Sequence, residues 1–131
     1  MAATLKVYPW PMGIDDTQHR IRVNGVCAIA GTYAAGGFAL TWTNMVNSLT
    51  GEAILLNTSA TAPFIAWFQS AGGSGYVYQY NVSTNKIQVF VVEAVALSTQ
   101  YALTELAAGT VPAGVSGDTV QFEAEFVRAT Q

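Results

Sequence analysis

Between Val23 and Gly51, and again between Ala53 and Asn85, no side chain carries a charge. Together the two stretches make up nearly half of the 131 residues. The whole chain has only 5 basic and 8 acidic residues, 10% of its length, against about a quarter in an ordinary soluble domain. A chain of this length makes one domain with one core, and such a core is too small to hide both stretches. Surface charge keeps a small protein hydrated and apart from its neighbours. The economical reading is that other subunits cover part of the surface. The competing reading is a monomer solvated by its Ser, Thr, Asn, Gln and Gly.

The same charge distribution excludes several functions. Lys6, Arg20, Arg22, Lys86 and Arg128 are scattered, and the net charge is −3. Nucleic-acid binding needs a concentrated basic face, so no nucleic-acid partner is expected. Polar residues interrupt the uncharged stretches before any run reaches the ~18 apolar residues of a membrane span, so no membrane partner is expected either. Met1 to Tyr8 has no apolar signal core, which points to synthesis in a cytoplasm. The single cysteine, Cys27, rules out an intrachain disulfide.

The patterning favours strands. In His19 to Ala30, Ile21, Val23, Gly25, Cys27 and Ile29 alternate with polar or small residues. The phase persists through Asn24-Gly25, which predicts one long half-buried strand, with Gly25 the place for a bulge. Thr119 to Arg128 alternates likewise, with Val120, Phe122, Ala124 and Phe126 inward and Gln121, Glu123 and Glu125 outward. Tyr76 to Val82 and Lys86 to Glu93, joined by Ser83-Thr84-Asn85, predict a hairpin. Phe64 to Gln69 reads as a buried strand, and Phe38 to Thr43 as an extended piece. Residues 44–61 read as a polar loop with room for a short helix, and residues 94–110 as either a helix or a loop plus strand. Residues 1–18 read as an N-terminal arm with a short strand at Thr4 to Tyr8. It is broken by Pro9-Trp10-Pro11, because proline cannot donate to a ladder. Residues 19–131 form the domain. The expected fold is all-β, a β-sandwich or jelly-roll-like barrel of about six to eight short antiparallel strands.

Catalytic chemistry finds little support. His19 is the only histidine. Asp15, Asp16 and His19 could be drawn as a metal site, but a solvated turn explains them better. Glu123 and Glu125 imitate a glycosidase pair, yet on an alternating strand they read as a solvent face. Cys27 falls on an apolar face and reads as a structural thiol. Gly72-Gly73-Ser74-Gly75 has no following Lys-Ser/Thr and is no phosphate loop. No enzyme activity, cofactor or metal is expected. The aromatics Trp10, Trp42, Trp67, Tyr33, Tyr76, Tyr78 and Tyr80 offer one rival function, sugar stacking in a carbohydrate-binding module. Packing and interface roles compete with it.

The run Gly31-Thr32-Tyr33-Ala34-Ala35-Gly36-Gly37-Phe38-Ala39-Leu40 follows a strand ending Ala28-Ile29-Ala30. After it come the hairpin from Gly75 to Val89, the run Leu103-Thr104-Glu105-Leu106-Ala107-Ala108-Gly109-Thr110, and a final strand opening Thr119-Val120-Gln121-Phe122. This order, over residues 19–128, resembles that of small structural proteins of tailed bacteriophages. Phe38 stands where a polar or acidic residue often follows the paired glycines, and Trp42 to Thr61 departs from the pattern. The resemblance implies a head decoration, or cement, protein on the outer surface of the capsid. Such proteins cluster around local three-fold axes, which implies a homotrimer with the major capsid protein as partner. It implies no catalytic residues. Other virion locations, tail or neck, remain alternatives. Trp10, Tyr33, Phe38 and Trp42 are the candidate interface residues.

Overall fold

The computed structural model describes residues 3–9, 13–16, 19–94 and 100–129. The alternating segments become the centre of the first sheet. Strand β3 (Arg20–Ile29) pairs antiparallel with β12 (Val120–Val127) in one unbroken register, from Arg20 opposite Val127 to Cys27 opposite Val120. Ile21, Val23, Cys27 and Ile29 on β3, and Val120, Phe122, Ala124 and Phe126 on β12, are buried. The alternation thus selects the inward face. Gly25 makes no bulge. It permits a close approach instead, since a Cβ there would lie 1.9 Å from the Lys6 carbonyl oxygen.

Strand β1 (Ala3–Val7) pairs with the far end of β3, and β2 (Ile14–Asp16) with its near end, both antiparallel. They are two pieces of one interrupted strand. Tyr8 N–H donates to Asn24 O (3.0 Å) and Asn24 N–H to Gly13 O (2.8 Å), so Asn24 closes the base of the excursion between them. The chain leaves the ladder at Pro9, which lacks a donor. The segment expected as an arm or short strand therefore contains strands of the sheet, with Leu5 and Val7 in the core. A short strand, β6 (Val46–Asn47), runs parallel to β1 at one edge. At the other edge β7 (Ile65–Ser70) pairs antiparallel with β12. In β7 only Phe68 is buried, while Ile65 and Trp67 are exposed. This corrects the expectation of a buried strand. One face of β7 packs on the core and its other face has no covering layer.

The second sheet is built on the predicted hairpin, β8 (Tyr76–Asn81) and β9 (Lys86–Ala94). Its turn is set by Asn81, whose Oδ1 accepts from Ser83 N–H (3.1 Å) and Ser83 Oγ–H (2.7 Å), an Asx turn. Asn85 ends it in the left-handed region at φ 54°, which asparagine tolerates better than most residues. The opposite edge of β9 is shared by β5 (Phe38–Ala39) and β10 (Tyr101–Glu105), so the ambiguous 94–110 segment contains a strand. A two-stranded piece, β4 (Thr32–Tyr33) with β11 (Gly109–Thr110), and a helical turn α1 (Ala113–Ser116) complete the described elements.

Both sheets send side chains into one core, and neither closes into a barrel. The fold is an all-β sandwich. At its centre is Trp42, on a single 3₁₀ turn (Trp42–Asn44) rather than the extended chain expected to Thr43. Its ring contacts those of Tyr80, Phe122 and Phe126 with centroids 5.6–5.9 Å apart, in edge-on geometries favoured by ring quadrupoles.

Candidate assembly surface

Three hydrogen-bonded clusters lock the interior. Asn85 Oδ1 accepts from the Trp42 indole N–H (2.8 Å) and the Tyr80 hydroxyl (2.7 Å), and its Nδ2 donates to Leu40 O (2.9 Å). The Tyr33 hydroxyl donates to Glu105 Oε2 (2.7 Å) and accepts from Val89 N–H (3.1 Å). Burial pushes the Tyr33 hydroxyl up to about 12, which keeps it a donor. The Tyr33 hydrogen bond in turn holds Glu105 below its usual carboxylate range, against some desolvation. Asp118 accepts from Ser70 (2.8 Å), Ser74 (2.7 Å) and Tyr78 (2.8 Å). Among the described residues no buried side-chain nitrogen or oxygen lacks a hydrogen-bond partner, and none of the three clusters presents an unpaired acid, base or nucleophile. Burial raises the Cys27 thiol to about 12, so it is not a thiolate at neutral pH. No group of three or more His, Cys, Asp or Glu that could hold a metal occurs among the described residues.

Three of the four candidate interface residues are core residues. Tyr33, Phe38 and Trp42 are 1%, 3% and 3% exposed. The Gly36-Gly37 turn folds Phe38 inward beside β9, edge-on to Tyr33 (5.2 Å). Trp42 fills the space between the sheets. Their rings are committed to this chain's own packing and offer no partner surface. Trp10 lies outside the described residues. Tyr78, a candidate sugar platform, is buried as well.

The available apolar surface lies elsewhere. Among the described residues eleven large apolar side chains are exposed, and seven of them, including Leu49, Leu55, Ile65 and Trp67, fall in the two uncharged stretches. Those stretches are therefore not confined to the interior. Four of the eleven, Val77, Val92, Tyr101 and Leu103, gather on the outer face of the second sheet. There Val77 on β8 stands opposite Phe90 on β9, and Val92 on β9 opposite Leu103 on β10. Tyr101, two residues from Leu103 and so on the same side, is 72% exposed. Directly opposed residues share a sheet face, so these five form one apolar patch, bordered by Glu105 opposite Phe90.

The ends of β9 and β10 extend this patch beyond the core as a two-stranded ribbon. Its reverse side is also exposed, at Glu93, Ala102 and Thr104. A bare two-stranded ribbon is marginally stable in water. Edge strands that must stay single usually carry lysine or proline, or a bulge. Tyr101-Ala102-Leu103-Thr104-Glu105 contains neither residue, and its register with β9 is unbroken. The sequence held a sign of this. Val89-Phe90-Val91-Val92 is apolar in both parities, so the strand calls for cover on both faces.

The outer face of the first sheet is different. Arg22 reaches Glu123 (3.2 Å) and Glu125 (3.5 Å), and Arg20 reaches Glu125 (3.6 Å). This charged stripe matches the solvent face expected for Glu123 and Glu125, and such exposed pairs add about 0–1 kcal/mol each. The fold and its surface define an all-β sandwich with an apolar patch on one outer face and a charged stripe, flanked by Ile65 and Trp67, on the other. Comparison with known proteins finds no family model that matches the chain, no characterised protein that matches its sequence and no solved structure that matches its fold.

Proposed function

We propose that this chain is a non-catalytic virion structural protein, a head decoration protein that binds the outer surface of a tailed-phage capsid as a homotrimer and bridges major capsid subunits. The observation that carries its assembly role is the apolar patch of Val77, Phe90, Val92, Tyr101 and Leu103, continued onto the unprotected β9–β10 ribbon. The phage assignment rests on the resemblance in motif order across residues 19–128.

The magnitudes favour a multivalent mode of action. Fully burying a large apolar side chain stabilises by ~1.5–3 kcal/mol. The patch residues are already partly covered, so each would add about 1 kcal/mol, or roughly 5 kcal/mol per ribbon. Association costs about 4–15 kcal/mol, so one ribbon contact is too weak to hold two molecules alone. Several contacts closed around a ring, and repeated over a capsid lattice, overcome that cost through effective concentration. A cement protein works in this way: weak, repeated contacts must all be lost before the subunits beneath can separate.

Cryo-electron microscopy of the virion whose genome encodes the chain tests the proposal. Density for this sandwich is expected on the outside of the head, in clusters of three, with the second sheet facing neighbouring subunits. Density at the neck or tail would support only the broader virion reading, and its absence from the particle would reject both.

A further inference from the structure

A row of four residues crosses the polar outer face of the first sheet. Trp67 on β7 lies opposite Glu123 on β12, and Glu123 lies opposite Asn24 on β3. Tyr8 follows, bonded through its N–H to Asn24 O. The order is aromatic, carboxylate, amide, aromatic. Three strand spacings of ~4.8 Å separate the two aromatic positions by roughly 14 Å. Between them is an open depression of about 330 Å³, lined by Tyr8, Asn24, Trp67, Gln121 and Glu123 and floored by Gly25 and Phe122. The Trp67 side chain is half-exposed. The Arg22 guanidinium 3.2 Å from Glu123 Oε1 fixes that carboxylate in place.

We propose that this depression is a carbohydrate-binding subsite that takes the pyranose rings of a short oligosaccharide. A pyranose has an apolar C–H face, which suits an aromatic platform, and a rim of hydroxyls, which suits carboxylate and amide partners. The two platforms flank polar groups on one side of a sheet, and their spacing spans several rings of a chain rather than one sugar, so each would stack on a ring separated from the other by intervening units. Other ligand classes fit less well. A polynucleotide would meet Glu123 in the middle of its path and find no basic groove. An apolar small molecule binds best in an enclosed apolar cavity, whereas this depression is open and has polar walls. The inference does not depend on the assembly reading, because the site lies on the other sheet from the apolar patch.

The test is titration of the full chain with three hexasaccharides, cellohexaose, chitohexaose and maltohexaose, followed by tryptophan fluorescence and two-dimensional amide NMR. Saturable binding of at least one, at millimolar concentration or below, is expected, with shifts centred on Tyr8, Asn24, Trp67, Gln121 and Glu123. Trp67→Ala and Tyr8→Ala should each weaken it by about tenfold or more. Trp67→Phe should weaken it less, and Val77→Ser on the other sheet should leave it unchanged. Circular dichroism separates loss of binding from loss of fold, and Tyr8→Ala decides the matter if Trp67→Ala misfolds. A wild-type chain that binds none of the three sugars, or binding that survives both alanine variants, overturns the proposal.

Discussion

Trp42 and Asn85 are joined between the sheets: the indole N–H donates to the asparagine Oδ1 at 2.8 Å. The same oxygen accepts from Tyr80, and the amide nitrogen donates to Leu40 O. One turn residue at φ 54° therefore ties the central aromatic to the hairpin and to the chain entering the 3₁₀ turn.

Replacing Asn85 by glycine keeps the left-handed backbone accessible but leaves the indole and phenol donors unpaired. Each unsatisfied buried group costs about 1–3 kcal/mol, so urea unfolding should show a loss of roughly 2–6 kcal/mol. Asn85→Ala should lose more, by about 1 kcal/mol, because a Cβ is strained there. Wild-type stability in Asn85→Gly would show that the cluster does not hold the fold.

Stability should fall in acid. Desolvation tends to raise Asp118, but the hydrogen bonds from Ser74, Ser70, Tyr78 and Thr119 N–H outweigh it and lower the carboxyl overall. Glu105 is lowered as well, chiefly by Tyr33. A group depressed in the folded state adds stability above its unfolded pKa and loses it as pH drops through its folded pKa. The midpoint of urea unfolding should therefore be steady near neutrality and decline below the ordinary carboxylate range. Asp118→Asn should lower the neutral plateau and flatten that decline. An unchanged slope in the variant would count against this account.

Cys27 should not react with a thiol reagent such as Ellman's reagent in the folded protein, since burial raises its pKa to about 12. Labelling should follow unfolding, with full reaction in denaturant. Rapid modification under native conditions would show that β3 opens locally far more often than its central place in the sheet implies.

Leu103→Lys should separate folding from assembly. The side chain is exposed on the ribbon, so the change should move unfolding free energy by no more than about 0.5 kcal/mol. Under the proposed assembly role, it should nevertheless shift the sedimentation profile towards monomer and reduce binding to phage heads. Unaltered association would remove the ribbon from the interface.

The parts of the fold legible in the sequence are those where one face is dry and the other wet. Ile21, Val23, Cys27 and Ile29 alternate with polar or small residues because β3 is covered on one side only, and Phe122 and Phe126 repeat the pattern on β12. The β8–β9 hairpin was legible because its turn chemistry is local, held by Asn81 and Asn85. Trp42 was misplaced because it lies on an irregular segment with no period to read, and rings from three other elements, β7, β8 and β12, decide its burial. Tyr33 and Phe38 were misplaced for a related reason. The turn that buries them depends on Gly37, where a Cβ would lie 2.2 Å from the Ile87 carbonyl oxygen, and that contact is distant in sequence. The sugar subsite was half visible: Trp67 stood among the candidate platforms, but only the register of four strands brings Tyr8 to the same row.

Asn24 holds both ends of the excursion between β1 and β2 through its own N–H and carbonyl. Lengthening the chain between Pro9 and Gly13 would leave the two flanking ladders in register, since neither takes its alignment from the span between them. That makes this point a ready site for grafting a foreign peptide. A tag placed there would branch from the edge of the first sheet, not from the ribbon of the second.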